Sequence, residues 1–203
     1  MKIAIISGSH REQSQSHKVA RVVEAMLADG LCQEQYLFSL GGNPLPLWDP
    51  GVWEDEPRWT ALLDPVRAEL AASDGFVIVT PEWHGQVPAG LKNFFLLFGR
   101  NELGHKPALI VSVSAGAGGA YPVAELRMSS YKNSRICYIP EHVIVRQVES
   151  VLNDDPAAND PESDAWYRAR LRWALGILVE YARALGAVRA SGATATDTFK
   201  NGM

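Results

Sequence analysis

Three short segments of this sequence collect the residue types that grip a small ligand. The first, Gly8-Ser9-His10-Arg11-Glu12-Gln13-Ser14-Gln15-Ser16, sets hydroxyls at Ser9, Ser14 and Ser16, a carboxamide at Gln15 and a guanidinium at Arg11 directly before a segment of helical periodicity. The first backbone N–H groups of a helix lack partners inside it, and its dipole favours negative charge there. A guanidinium adds a directional, two-pronged contact to oxyanions. That set suits a phosphate. The plainer alternative is that Ser14 or Ser16 only caps the helix while Arg11 is solvated. The segment is not a Walker loop, because no Gly-Lys-Ser or Gly-Lys-Thr closes it. GxGxxG is also missing, both here and at Gly116, where Tyr121 stands at the third glycine position.

The second segment, Pro81-Glu82-Trp83-His84-Gly85-Gln86-Val87-Pro88, puts an indole and an imidazole on a turn, where a planar ring can rest on backbone and aromatic surface. Taken singly, Trp83 as a closure of the core edge and His84 as an ordinary exposed histidine explain it more simply, and it is the position after a buried strand that favours a ligand. The third, Ser114-Ala115-Gly116-Ala117-Gly118-Gly119, lets backbone N–H groups approach a ligand closely, although a plain flexible turn has the same composition. GxSxG is absent, which argues against a serine hydrolase.

The elements that must position these segments follow from periodicity. Lys2 to Ser7 is a short run of β-branched residues, and Val19, Val22, Val23, Met26 and Leu27 then recur at helical spacing. Gln35 to Ser39 is a weaker strand, followed by a long irregular loop rich in Gly and Pro that carries Trp48 and Trp53. Trp59, Leu62, Leu63, Val66 and Leu70 share a helical face, and Asp64-Pro65 predicts a break and restart within it. Phe76 to Thr80 and Pro107 to Ser112 are continuous apolar runs, as expected of strands buried on both faces. Pro88 to Phe98 and a stretch through Leu126 to Tyr131 read as helices. Ile136 to Val145 is a last strand interrupted near Pro140, and Leu171, Leu175, Leu178, Ala182 and Leu185 line a closing helix. Five strands alternating with helices imply an α/β doubly wound parallel sheet, with ligands bound beyond the carboxyl ends of the strands. The three segments follow the first, third and fourth strands, so they should converge.

The whole chain sets limits on function. Its 203 residues fit one domain, here 1–190, with 191–203 a polar tail expected to be mobile. The apolar run at the amino terminus ends at Ile6, too short for a signal peptide or a membrane span. Cys32 and Cys137 lie far apart with no metal-ligand spacing and read as reduced thiols, so the expected compartment is the cytoplasm and no metal is expected. A formal net charge of -4, without a basic stripe, argues against nucleic acid as a partner.

As an ensemble the three segments resemble the NAD(P)H-dependent FMN reductase family, which includes quinone, azo-dye and chromate reductases. Gly8, Ser9, Arg11 and Ser14 match its G-S-x-R-x-x-S-x-N pattern, with Ser16 in place of the final Asn. Thr80-Pro81-Glu82-Trp83-His84-Gly85 running to Leu91-Lys92-Asn93 is similar to T-P-E-Y-N-x-x-x-P-x-x-L-K-N, with Trp83 for Tyr and His84 for Asn. The resemblance covers most of the chain. It implies a flavodoxin-like fold with strand order 2-1-3-4-5, and FMN held at its phosphate by Ser9, Arg11, Ser14, Gln15 and Ser16. Pro81, Glu82, Trp83, His84, Gly85, Ser114, Ala115 and Gly116 would line the isoalloxazine. It further implies NADPH or NADH as hydride donor and a small-molecule electron acceptor. A flavodoxin-type carrier shares fold and cofactor, but flavodoxins resemble a Thr/Ser-rich phosphate loop without the arginine. Leu91, Phe94, Phe95, Leu96, Leu97 and Phe98 occupy more than one helical face, which predicts a homodimer or dimer of dimers through that helix.

Overall fold

The computed structural model describes residues 1–195 and 197–202; Thr196 and Met203 of the polar tail lie outside the described residues. Strand β1 (Lys2–Ser7) leads to helix α1 (Gln15–Ala28), then β2 (Glu34–Ser39), α2 (Pro57–Ala72), β3 (Gly75–Pro81), α3 (Ala89–Leu97) and a single turn α4 (Arg100–Leu103). The chain continues through β4 (Pro107–Val113), α5 (Ala120–Ser129) and β5 (Cys137–Val145) to the long α6 (Pro161–Ala190). The strands form one parallel sheet in the order β2-β1-β3-β4-β5.

Period-two alternation divides the core into two layers. Ile3, Ile5, Val77, Val79, Leu109 and Val111 point to one face, where Val19, Val23 and Leu27 of α1 and Leu171, Leu175 and Leu178 of α6 cover them. Ala4, Ile6, Phe76, Ile78, Ala108 and Ile110 point to the other, beneath Leu63 and Leu70 of α2, Phe94 of α3 and Leu126 of α5. β3 and β4 are buried along their whole length, which is why they read as unbroken apolar runs.

Two expectations are corrected. Asp64-Pro65 does not break its helix: α2 runs continuously with Pro65 inside. Trp59, Leu63 and Leu70 are buried on one face, whereas Ala61, Asp64 and Pro65 are exposed, so the carbonyl left without a proline N–H is on the solvent side. Packing overrides the local signal. The apolar helix α3 is also covered more fully by its own chain than expected. Leu91, Phe94, Leu97 and Phe98 are buried, Phe95 is half-buried and only Leu96 is strongly exposed. The irregularity near Pro140 is present within a continuous β5: its register with β4 shifts between Tyr138 and His142, and Arg127 Nη2 donates to the carbonyls of Ile139 and Pro140.

Candidate functional site

The chain leaves β1 through Gly8, whose N–H donates to Val79 O at 2.8 Å. A Cβ here would stand 2.7 Å from Leu91 Cδ2 and 2.8 Å from Val79 O, so the close approach of the first loop to β3 requires glycine. Ser9 is buried and its Oγ accepts from Arg11 N at 3.3 Å. Ser14 is the N-cap of α1, with extended backbone, and its Oγ accepts from His17 N at 3.1 Å. Capping is therefore one of its tasks, and its own O–H still has a proton to donate. Ser16 is buried in the first turn of α1. Among the described residues, the backbone N–H groups of His10, Glu12, Gln13 and Ser14 have no partner within the protein, and Gln15 Oε1 is buried without one. Arg11 is exposed and enters no ion pair among the described residues. Clustered N–H donors, hydroxyls and an uncommitted guanidinium fit a phosphate group.

The second loop begins at buried Pro81, and Glu82 N donates to Val113 O at 3.0 Å. Trp83 and Gln86 exchange backbone hydrogen bonds of 3.1 and 2.9 Å around His84 and Gly85, whose φ angles are 51° and 73°. Both central residues being left-handed is the signature of a type I′ turn. His, like Asn, is among the non-glycine residues that enter this region more readily. His84 thus keeps the turn while presenting an exposed imidazole. The ring of Trp83 meets that of His10 edge-on, with centroids 4.5 Å apart, which packs the second loop against the first.

The third loop is held at both of its ends. Ser114 N donates to Val145 O at 2.9 Å, and Gly116 N turns back to Ser114 Oγ at 3.2 Å. Gly119, buried at φ 101°, donates its N–H to Glu82 Oε2, and a Cβ there would stand 2.4 Å from Ile144 Cγ2. Arg146 Nε donates to the carbonyls of Ala117 and Gly118 at 2.7 and 2.9 Å. Ala115, Gly116, Ala117 and Gly118 are left exposed between these restraints. The sequence placed Glu82 against a ring; its carboxylate joins the second loop to the third. The three loops lie at the carboxyl ends of adjacent strands β1, β3 and β4, as their positions predicted.

Sequence reasoning missed several supports. Asn93, buried in α3, accepts from Trp48 N and donates to Pro46 O, both at 2.8 Å, pinning the long loop after β2. Glu125 accepts from Val87 N at 2.7 Å and pairs with Lys92 at 2.6 Å, fixing the end of the second loop. Lys18 donates from α1 to Val148 O, Val151 O and Asn153 Oδ1, and burial lowers its pKa from the ordinary lysine value. Of these, only Lys92 and Asn93 had a signal, as the end of the Leu91-Lys92-Asn93 motif. A depression of about 910 Å³ borders the first loop at Glu12, Gln13 and Ser14 and runs between α1 and α6. Its cations are already committed: Arg21 to Glu24, Arg168 to Asp164, Arg172 to Asp29 and Lys18 to carbonyls. The uncommitted donors are in the loop itself.

Comparison with known proteins agrees with this geometry. Residues 1–150 match the family model described as NADPH-dependent FMN reductase. The chain is 28% identical over 145 residues to an NADPH azoreductase of Bacillus sp. (strain OY1-2), covering 71% of this chain and 76% of the relative. It is 32% identical over 165 residues to a quinone reductase of Pseudomonas putida, covering 78% and 84%. Among solved structures, FerB, a flavoenzyme NAD(P)H:(acceptor) oxidoreductase from Paracoccus denitrificans, superposes with a TM-score of 0.67 at 21% identity, over 90% of this chain and 97% of that one. No helix among the described residues is long and apolar enough to cross a membrane.

Proposed function

This chain belongs to the NADPH-dependent FMN reductase family, and from that membership we propose that it passes reducing equivalents from NADPH or NADH through bound FMN to a small quinone. It is a flavin-dependent oxidoreductase by family. Azo compounds, metal oxyanions and free flavin are the alternative acceptors. The observation that carries the reading is the convergence of an unpartnered donor cluster, at the first loop, with two braced loops that leave aromatic and backbone surface uncovered.

In this reading Ser9, Arg11, Ser14, Gln15 and Ser16, with the N–H groups around them, hold the FMN phosphate. Arg11 supplies the only full positive charge in that set. Trp83, His84 and Gly85 offer one wall for the isoalloxazine, and Ser114, Ala115 and Gly116 offer backbone donors to its carbonyl edge, where negative charge accumulates on reduction. Pro81 ends β3 at this wall, and Glu82 sets the distance between the walls through Gly119. FMN held by these residues would supply two-electron redox chemistry between the nicotinamide and the acceptor. The protein's contribution is placement and electrostatics, without a side-chain acid or base.

A cytoplasmic setting, where reduced nicotinamides are available, suits two cysteines that form no disulfide. Pairing of two copies is supported by Leu96 and Phe95, which share a depression of about 740 Å³ with Trp48 and Trp53. Light scattering checks this, and a monomer mass refutes it. For the activity itself, the purified protein is expected to bind FMN with a shifted flavin spectrum and to oxidise NADPH or NADH when 1,4-benzoquinone is added. Flavin binding without turnover across several acceptors would move the assignment to an electron carrier, a reading that Arg11 disfavours. No affinity for FMN would remove both.

A further inference from the structure

Tyr121 falls outside every contact assigned above to the phosphate or the ring. It lies in the first turn of α5, two residues after Gly119, whose N–H is held by Glu82, and one before buried Pro122. Its backbone is therefore tied to both the second and the third loop. Its ring lies against the second loop: a Cβ placed on Gly85 would be 3.7 Å from Tyr121 Cδ2. In spite of that proximity 70% of Tyr121 is exposed, and His84 beside Gly85 is exposed as well. An aromatic face with a hydroxyl thus stands uncovered beside Gly85 of the second loop.

We propose that Tyr121 is a specificity-determining residue for the electron acceptor, selecting flat, carbonyl-bearing rings of the quinone class; the proposal rests on the flavin reading above. A phenol combines an apolar face with one O–H donor, which complements a planar ring carrying C=O acceptors. The site built so far needs neither property for FMN, because phosphate and ring contacts come from other residues. His84, the chain neighbour of Gly85, offers a second exposed polar group. An acceptor with no flat face and no carbonyl gains nothing from either side chain.

The test uses the FMN-loaded protein and Tyr121→Ala and Tyr121→Phe variants; at 70% exposure this side chain contributes little to the core. Affinity of the oxidised, FMN-loaded protein for 1,4-naphthoquinone is measured by calorimetry without nicotinamide, so no turnover is involved. Steady-state kinetics with NADPH then compare naphthoquinone with ferricyanide, an octahedral anion lacking a planar carbonyl face. Tyr121→Ala is expected to weaken naphthoquinone binding and raise its KM ~10-fold, the scale of losing one hydrogen bond and a partly exposed aromatic contact. Tyr121→Phe is expected to show ~3-fold, and ferricyanide kinetics and FMN affinity are expected to change less than about 2-fold in both variants, consistent with a residue outside the flavin contacts. Unchanged naphthoquinone affinity overturns the proposal. So does an equal loss with both acceptors, or a loss of FMN affinity, because either places Tyr121 in the flavin cradle. Failure of the wild-type protein to bind FMN is a separate result, refuting the flavin reading before any variant is made.

Discussion

Replacing Glu82 separates a residue that braces the site from one that touches the flavin. The Glu82 carboxylate accepts from Gly119 N, and Gly119 is buried. Glu82→Ala therefore strands a buried N–H and removes a charge-assisted bond, at a cost of about 1.5–3 kcal/mol. In a chain of 203 residues each kcal/mol lowers Tm by about 2–4 °C, so the expected drop is ~3–12 °C. Glu82→Gln keeps an acceptor oxygen and loses the charge, and is expected to retain about half of the stabilisation. Thermal and urea unfolding of the flavin-free protein measure this directly. The flavin-free form is decisive, because a residue whose only role is ring contact leaves its stability untouched. A flavin-free Glu82→Ala protein with wild-type Tm, and with FMN affinity reduced, would falsify the bracing role.

Arg11→Ala is expected to weaken FMN binding by about 2 kcal/mol, roughly 30-fold in Kd, with little change in the stability of the flavin-free protein, since Arg11 is exposed and unpaired; fluorescence titration at low and high salt checks this, and wild-type affinity removes Arg11 from the site. Lys106 is buried, donates to Leu70 O and Ala71 O, and has its pKa lowered to about 8, chiefly by burial. Between that value and 10.5 the unfolded chain holds the proton and the folded chain does not, so stability from this group rises with pH across the window and is lost as pH falls through about 8. From pH 8 to 9.5 the wild type is expected to gain about 1–2 kcal/mol relative to Lys106→Met in urea unfolding; parallel pH profiles would show that the ammonium is not buried as described.

What the sequence revealed follows from the range of the interactions involved. β3 and β4 were legible because burial on both faces writes itself into consecutive residues, whereas β2 is only half-buried at the sheet edge and gave a weaker pattern. The first loop was legible because its donors, cap and arginine lie within nine residues. Continuity of α2 through Pro65 was not, since it depends on Trp59, Leu63 and Leu70 meeting other elements. The same holds at the site. Glu82 was found by its place in a motif, but its partner Gly119 is 37 residues away. Tyr121 carried no local signal, because the role proposed for it depends on its nearness to Gly85, 36 residues earlier in the chain. α4 is a single turn of four residues, too short for periodicity to show.

The parallel pairing of the strands governs when the site comes into being as the chain is made. Each neighbouring pair in the sheet joins segments separated by an intervening helix. The first loop takes its position from Val79 and Gly42, and the second takes its own from Val113 and Gly119. No single strand-and-helix unit of a nascent chain carries the proposed phosphate donors and both proposed ring walls together. Under the proposed function, cofactor capture is thus expected only once β5 and Arg146 have emerged, since Val145 O and Arg146 Nε hold the third loop. The competence to bind then arrives with completion of the sheet rather than in stages along the ribosome.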